Sequence, residues 1–168
     1  MTKNLLCLLV FMLATIRVAQ AQAGYPDWDK NYPAIDFQRV LQFEQRYADS
    51  VVAVDGDIAY YFRMDKYRFS ATYLGQKRAI DPKVMQSMKR VFKMVSGDPA
   101  LLESLMENEY LFQVGETQIW VPVQRQLEKP LAKEVKKGKS ALIYCLFLNE
   151  RSSGGLYNSL LISEFLKE

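Results

Sequence analysis

The run Ala141-Leu142-Ile143-Tyr144-Cys145-Leu146-Phe147-Leu148 constrains this chain more than any other stretch. With a period of two, Ala141, Ile143, Cys145 and Phe147 fall on one face and Leu142, Tyr144, Leu146 and Leu148 on the other. Both faces are apolar, so the strand must sit inside a sheet that is covered on both sides. Helices supply such cover, and the chain has the signals for them, so the class is α+β. Cys145 becomes a small buried hydrophobe rather than a nucleophile. Ser152 to Gly155 reads as a loop, and Tyr157 to Phe165 as a returning strand.

Two more hairpins are expected. Gly115-Glu116 is a two-residue turn between Glu109–Val114 and Thr117–Gln124. In the second arm Ile119, Val121 and Val123 face a core and leave Trp120 and Pro122 outward. Pro122 has no N–H to give, which places that strand at a sheet edge. The other hairpin is the aromatic-rich stretch from Ile58. A turn at Asp65-Lys66 would join Ile58–Met64 to Tyr67–Tyr73 and set most rings on one face and the cations on the other. Only Tyr61 with Arg63 and Arg68 then combines a ring with cations outside, as single-strand nucleic-acid binders do.

Helices are expected at Phe37 to Ala48, capped by Asp36, and after Asp81-Pro82, where Val84, Met85, Met88, Val91, Phe92 and Val95 form a stripe ended by Gly97. Ala100 to Met106 and Gln126 to Lys137 follow, and Pro130, about one turn into the latter, places its true start near there. Val51 to Val54 reads as a short strand and Asp55-Gly56-Asp57 as a turn. The expectation is therefore an antiparallel sheet of about six or seven strands arranged as hairpins and a meander, with three or four packed helices.

The chain opens with Lys3, an apolar run from Leu5 to Ile16, and the small-x-small triplets Ala19-Gln20-Ala21 and Ala21-Gln22-Ala23. That is the layout of a secretory signal peptide over residues 1–23, cleaved after Ala23 or Ala21. The remainder, 24–168, reads as one globular domain with an irregular arm over 24–35, whose Tyr25, Trp28 and Tyr32 staple it to the body. With 1–23 removed no transmembrane span is left, and Cys145 has no disulfide partner. Absence of N-glycosylation triplets and disulfides together predicts an exported bacterial protein, periplasmic or secreted.

Lys3 and Arg17 leave with the leader, so 20 cations then face 19 anions. That balance gives no reason to expect nucleic acid as a partner. The basic run Arg125, Lys129, Lys133, Lys136, Lys137 and Lys139 follows the acids Asp98, Glu103, Glu107, Glu109 and Glu116, and the two groups can answer one another within the fold.

The chain contains no histidine. Imidazole-dependent triads and His-ligated catalytic zinc are thereby excluded, and a lone thiol makes no thiolate metal site. Phosphate-binding glycine loops are absent. Neither a cofactor, a metal nor a catalytic residue is predicted. The leading expectation is an exported, non-catalytic binding or protein-interaction module. Its contact residues would be Trp120 and Pro122, meeting a protein partner or a second copy through the edge strand, with Tyr61, Arg63 and Arg68 as a second surface. The alternative is a small hydrolase of envelope polysaccharide using paired carboxylates. A weaker one is contact with anionic lipid or nucleic acid through Arg63, Arg68 and the basic helix.

Overall fold

A computed structural model describes residues 25–55, 60–95, 98–152 and 154–168. The expected signal peptide, Ile58, Ala59 and most of the Asp55–Asp57 turn lie outside them. The described residues form α1 (Tyr25–Asn31), α2 (Phe37–Asp55), β1 (Tyr61–Ala79), α3 (Pro82–Val95), α4 (Ala100–Leu105), β2 (Met106–Val114), β3 (Thr117–Gln124), α5 (Arg125–Glu134), β4 (Ser140–Ser152) and β5 (Gly155–Lys167). The class is α+β, with five strands and five helices instead of six or seven and three or four.

The strands close into a barrel in the order β1-β2-β3-β5-β4. β1, β2 and β3 lie side by side and β4 returns beside β1, the spatial order of a Greek key, although two helices rather than a hairpin join β1 to β2. Most junctions are antiparallel, and the seam between β3 and β5 is parallel at Val123–Ile162. β4 is the central strand its sequence demands, paired to β1 on one side and β5 on the other.

Two expectations about strands are corrected. The first is the hairpin at Asp65-Lys66. These residues do not turn but lie opposite Phe147 and Leu146, inside an unbroken ladder from Tyr61–Arg151 to Thr72–Ser140. Thirteen residues of β4 are available to pair, so a continuous β1 satisfies more backbone groups than a turn would. Continuity changes the facing. Phe69, Ala71 and Tyr73 point into the barrel, while Phe62 and Met64 point out, under α3 and α4. The rings therefore divide between two cores. Second, Val51–Val54 continues α2 and is not a strand.

The barrel core gathers Phe69, Ala71, Tyr110, Phe112, Val121, Ile143, Phe147 and Ile162. Helices plug its two ends. At one, Phe37 of α2 is 1% exposed and stacks on Phe69 at 4.3 Å with its edge toward Phe147. Burial of such a ring is worth about 1.5–3 kcal/mol, and the aromatic pairing adds roughly 0.5–1.5 kcal/mol. At the other end, Leu127 and Leu131 of α5 and the adjacent Val135 complete the core. α5 begins at Arg125 and carries Pro130 within it, one turn earlier than Pro130 suggests. The second core lies outside the barrel, where Met88, Val91 and Leu102 cover Leu148 and Leu161. Asp81 accepts the Lys83 N–H and Asp98 that of Ala100, as their Asp-Pro starts imply.

The segment expected to be irregular carries the helix α1 and is fastened to the barrel wall. Trp28, Tyr32 and Tyr144 form a three-ring cluster with centroid separations of 5.0 to 5.8 Å. Tyr144 donates to Asp29, and Ala34 forms a parallel bridge with Arg68. Of the expected rings, Trp28 and Tyr32 do staple the arm to its own domain.

Candidate functional site

One opening lies at the barrel end plugged by α5. It is a cleft of about 470 Å³ between the far half of β1, the start of β2 and α5. Tyr73 and Tyr110 reach it from the core, Lys77 from β1, and Arg125, Glu128 and Lys129 from α5. Their placement follows from local geometry. Gly75 adopts φ +76° and lies within the irregularity of the β1–β2 register between Tyr73 and Lys77, which turns Lys77 toward α5. Arg125 and Lys129 are four residues apart on α5 and so share one face.

Glu128 sits at the centre of this cleft. It accepts from Lys77 Nζ at 2.8 Å, from Asn108 Nδ2 at 3.0 and 3.1 Å, and from the Tyr110 hydroxyl at 3.1 Å. Burial alone would raise its pKa. The hydrogen bonds from Asn108, Lys77 and Tyr110 outweigh that and hold it below the ordinary value. Burial and the neighbouring carboxylate push Tyr110 up to about 12, so its hydroxyl stays a donor. Glu107 shares the cleft but lies 3.4 Å from Arg125, both mainly in solvent.

A second opening, about 190 Å³, lies beneath α2 at the other end and is lined by Phe43, Glu44, Tyr47, Tyr61 and Arg63. Here the structure brings together two of the expected contact residues. Arg63 is not free to bind, however. Its guanidinium pairs with Glu44 at 3.0 Å and Asp65 at 2.9 Å, donates to the Tyr67 hydroxyl and lies 5.4 Å from the Phe147 ring centre. Glu44 is 1% exposed, and burial raises its pKa against the pull of Arg63. Burial, then the Glu44 charge, pushes Tyr61 up to about 12. The Tyr47 and Tyr61 centroids are 5.1 Å apart, edge to face, so no ligand group fits between them. This is a polar joint that seats α2.

Arg68 belongs to neither opening. Being on the opposite face of β1, it donates to the Asp29 and Tyr32 carbonyls and pairs with the Asp29 carboxylate, fixing the arm. The expected trio of Tyr61, Arg63 and Arg68 does not form, because Tyr61 and Arg63 share one strand face and Arg68 occupies the other.

Trp120 and Pro122 do face away from the barrel core, as expected. Yet β3 is no edge strand over its length, because Val123 pairs with Ile162 and closes the barrel beside Pro122. Pro122 is buried opposite Glu109. Trp120 is half-buried, with the Arg78 guanidinium 4.0 Å from its ring centre. Arg78 also donates to Glu109, itself 1% exposed. This arginine covers one face of Trp120.

Sequence reasoning missed a recurrent device, a buried carboxylate held by an arginine. Glu44–Arg63, Glu109–Arg78 and Glu150–Arg90 each place an acid no more than 1% exposed against a guanidinium. Their partners are 19 to 60 residues apart, so no local spacing announces them. The expected answer of basic run to acidic segment is present in one pair, Arg125–Glu107.

Among the described residues no three of Cys, Asp and Glu gather where they would hold a metal ion, and no helix is long and apolar enough to cross a membrane. Burial drives the Cys145 thiol upward in pKa. Comparison of the chain with protein-family models, curated proteins and solved structures finds no match.

Proposed function

We propose that this chain is an exported, non-catalytic binding module that holds its ligand in the cleft between β1, β2 and α5. The observation that carries this reading is the state of Glu128. A carboxylate kept ionised by three donors is a poor general acid, since acid catalysis needs a proton held near working pH. The cations around it are better suited to gripping than to transforming a ligand. Five-stranded barrels of Greek-key order also include the OB-fold, a scaffold that serves for binding. Fold alone does not choose the ligand. Export rests on the leader-like residues 1–23.

A polysaccharide hydrolase is the second reading, because Glu107 and Glu128 line the same cleft. The two are separated by incubating the processed chain, and its Glu107→Gln and Glu128→Gln variants, with envelope polysaccharide. The binding reading expects no product from any of the three. Release of reducing ends that disappears in either variant would refute it.

A further inference from the structure

We propose that the cleft takes an acidic saccharide chain, its carboxylate or phosphate groups lying along the basic stripe of α5. This rests on the binding reading and names the ligand class. Arg125, Lys129 and Lys133 recur every four residues, so they stand on one helix face about 6 Å apart along the axis. That is the scale on which charged groups recur along a saccharide. Among the described residues neither Lys129 nor Lys133 has an acidic partner, nor do Lys136 and Lys137 at the end of the same segment. The aliphatic stem of Lys137 lies over the backbone at Gly75, on the β1 side of the cleft. Arg125 is only loosely held, since its pair with Glu107 is 3.4 Å long and exposed on both sides. An incoming anion therefore displaces Glu107 at small cost.

The remaining chemistry of the cleft favours sugars over other polyanions. A single-stranded nucleic acid needs exposed ring faces for its bases. Tyr73 and Tyr110 are 9% and 3% exposed and pack against each other, and Lys77 lies over the Tyr110 ring. Their faces are spent in the core. A membrane surface would ask for exposed apolar side chains beside the cations. The cleft offers only the small Ala132, because the large exposed hydrophobics, such as Phe43, Met94 and Leu101, lie on α2, α3 and α4. Tyrosine hydroxyl edges and spaced cations in a concave site are what an acidic glycan can use.

The test measures binding of oligogalacturonate to the processed chain at low and high salt. Neutral dextran, a single-stranded DNA oligomer and anionic phospholipid vesicles serve as comparators. Oligogalacturonate should bind, weaken as salt rises, and outcompete all three. The double variant Arg125→Glu/Lys129→Glu should lose about tenfold or more, the scale set by reversing two exposed charges. Lys83→Glu/Lys93→Glu makes the same charge change on the exposed side of α3 and should leave affinity unaltered. The milder Lys129→Gln/Lys133→Gln, with an unchanged urea midpoint, should also weaken binding. Equal losses in the α3 and α5 double variants would overturn the proposal, as would no loss in either α5 variant. Tighter binding of DNA or vesicles would overturn the glycan assignment and leave the binding reading standing. Cleavage of bound oligogalacturonate would refute the non-catalytic reading and support the glycan assignment.

Discussion

Replacing Arg90 of α3 by methionine removes a guanidinium and keeps an unbranched stem of similar length. Glu150, which it holds, is 0% exposed and accepts from Arg90 Nε at 2.6 Å and Nη2 at 2.7 Å. Losing one partner of a buried pair costs about 3–5 kcal/mol, because the remaining charge is stranded. Here Arg90 is 45% exposed, so water reaches the site once the guanidinium is gone. The expectation is therefore the low end, about 3 kcal/mol, or roughly 6–12 °C in Tm for a domain of this size. Arg90→Met/Glu150→Met should be more stable than Arg90→Met alone, since an apolar pair leaves no buried charge. Urea unfolding followed by the fluorescence of Trp28 and Trp120 measures all three chains. The exposed Lys30–Asp27 pair serves as contrast, and Lys30→Met should cost under about 0.5 kcal/mol. A cost below about 1 kcal/mol for Arg90→Met, or a double variant weaker than the single one, would refute the argument that a stranded carboxylate sets the penalty.

Two further outcomes follow from the same geometry. The pKa of Glu44 is raised above its ordinary value of 4.5, so its contribution is fully present below about 4.5 and lost as pH rises through the folded value. The stability of the native chain relative to Glu44→Gln should fall as pH rises above 4.5. Glu150 is held below 4.5, so its contribution is present above that pH and lost as pH falls. The Glu150→Gln comparison should slope the opposite way, and parallel slopes in urea midpoints would contradict both assignments. Separately, Gly75→Ala places a Cβ 2.9 Å from the Lys137 side chain at φ +76°. It should cost about 1–2 kcal/mol through backbone strain, while Gly154→Ala, at ordinary φ, should cost under about 1 kcal/mol. Equal costs would show that the left-handed conformation at Gly75 is not required.

Local signals carried much of the fold. The Asp-Pro starts of α3 and α4 and the Gly115 turn between β2 and β3 depend on neighbouring residues, and each appears where its chemistry puts it. The two apolar faces of β4 implied cover on both sides, which the barrel core and the α3–α4 layer supply. The Asp65-Lys66 pair was illegible for the opposite reason. Two polar residues resemble a turn, and only the length of β4 decides that the strand runs through them. Val51–Val54 failed likewise, because β-branched residues suit a strand locally while α2 extends through them. The cleft had no signature at all. Tyr73, Tyr110 and Glu128 come from three elements, and what unites them is the closure of a barrel around Lys77.

That closure is uneven. The ladders on β1, β2 and β4 have many rungs, whereas β3 meets β5 at one registered pair, Val123–Ile162. Sub-global opening should begin at this thin stave, freeing the β2–β3 ribbon together with α5 before the rest of the molecule loosens. A ligand that bridged α5 to the β1 side would act as a clasp, slowing amide exchange along β3 far from any atom it touches.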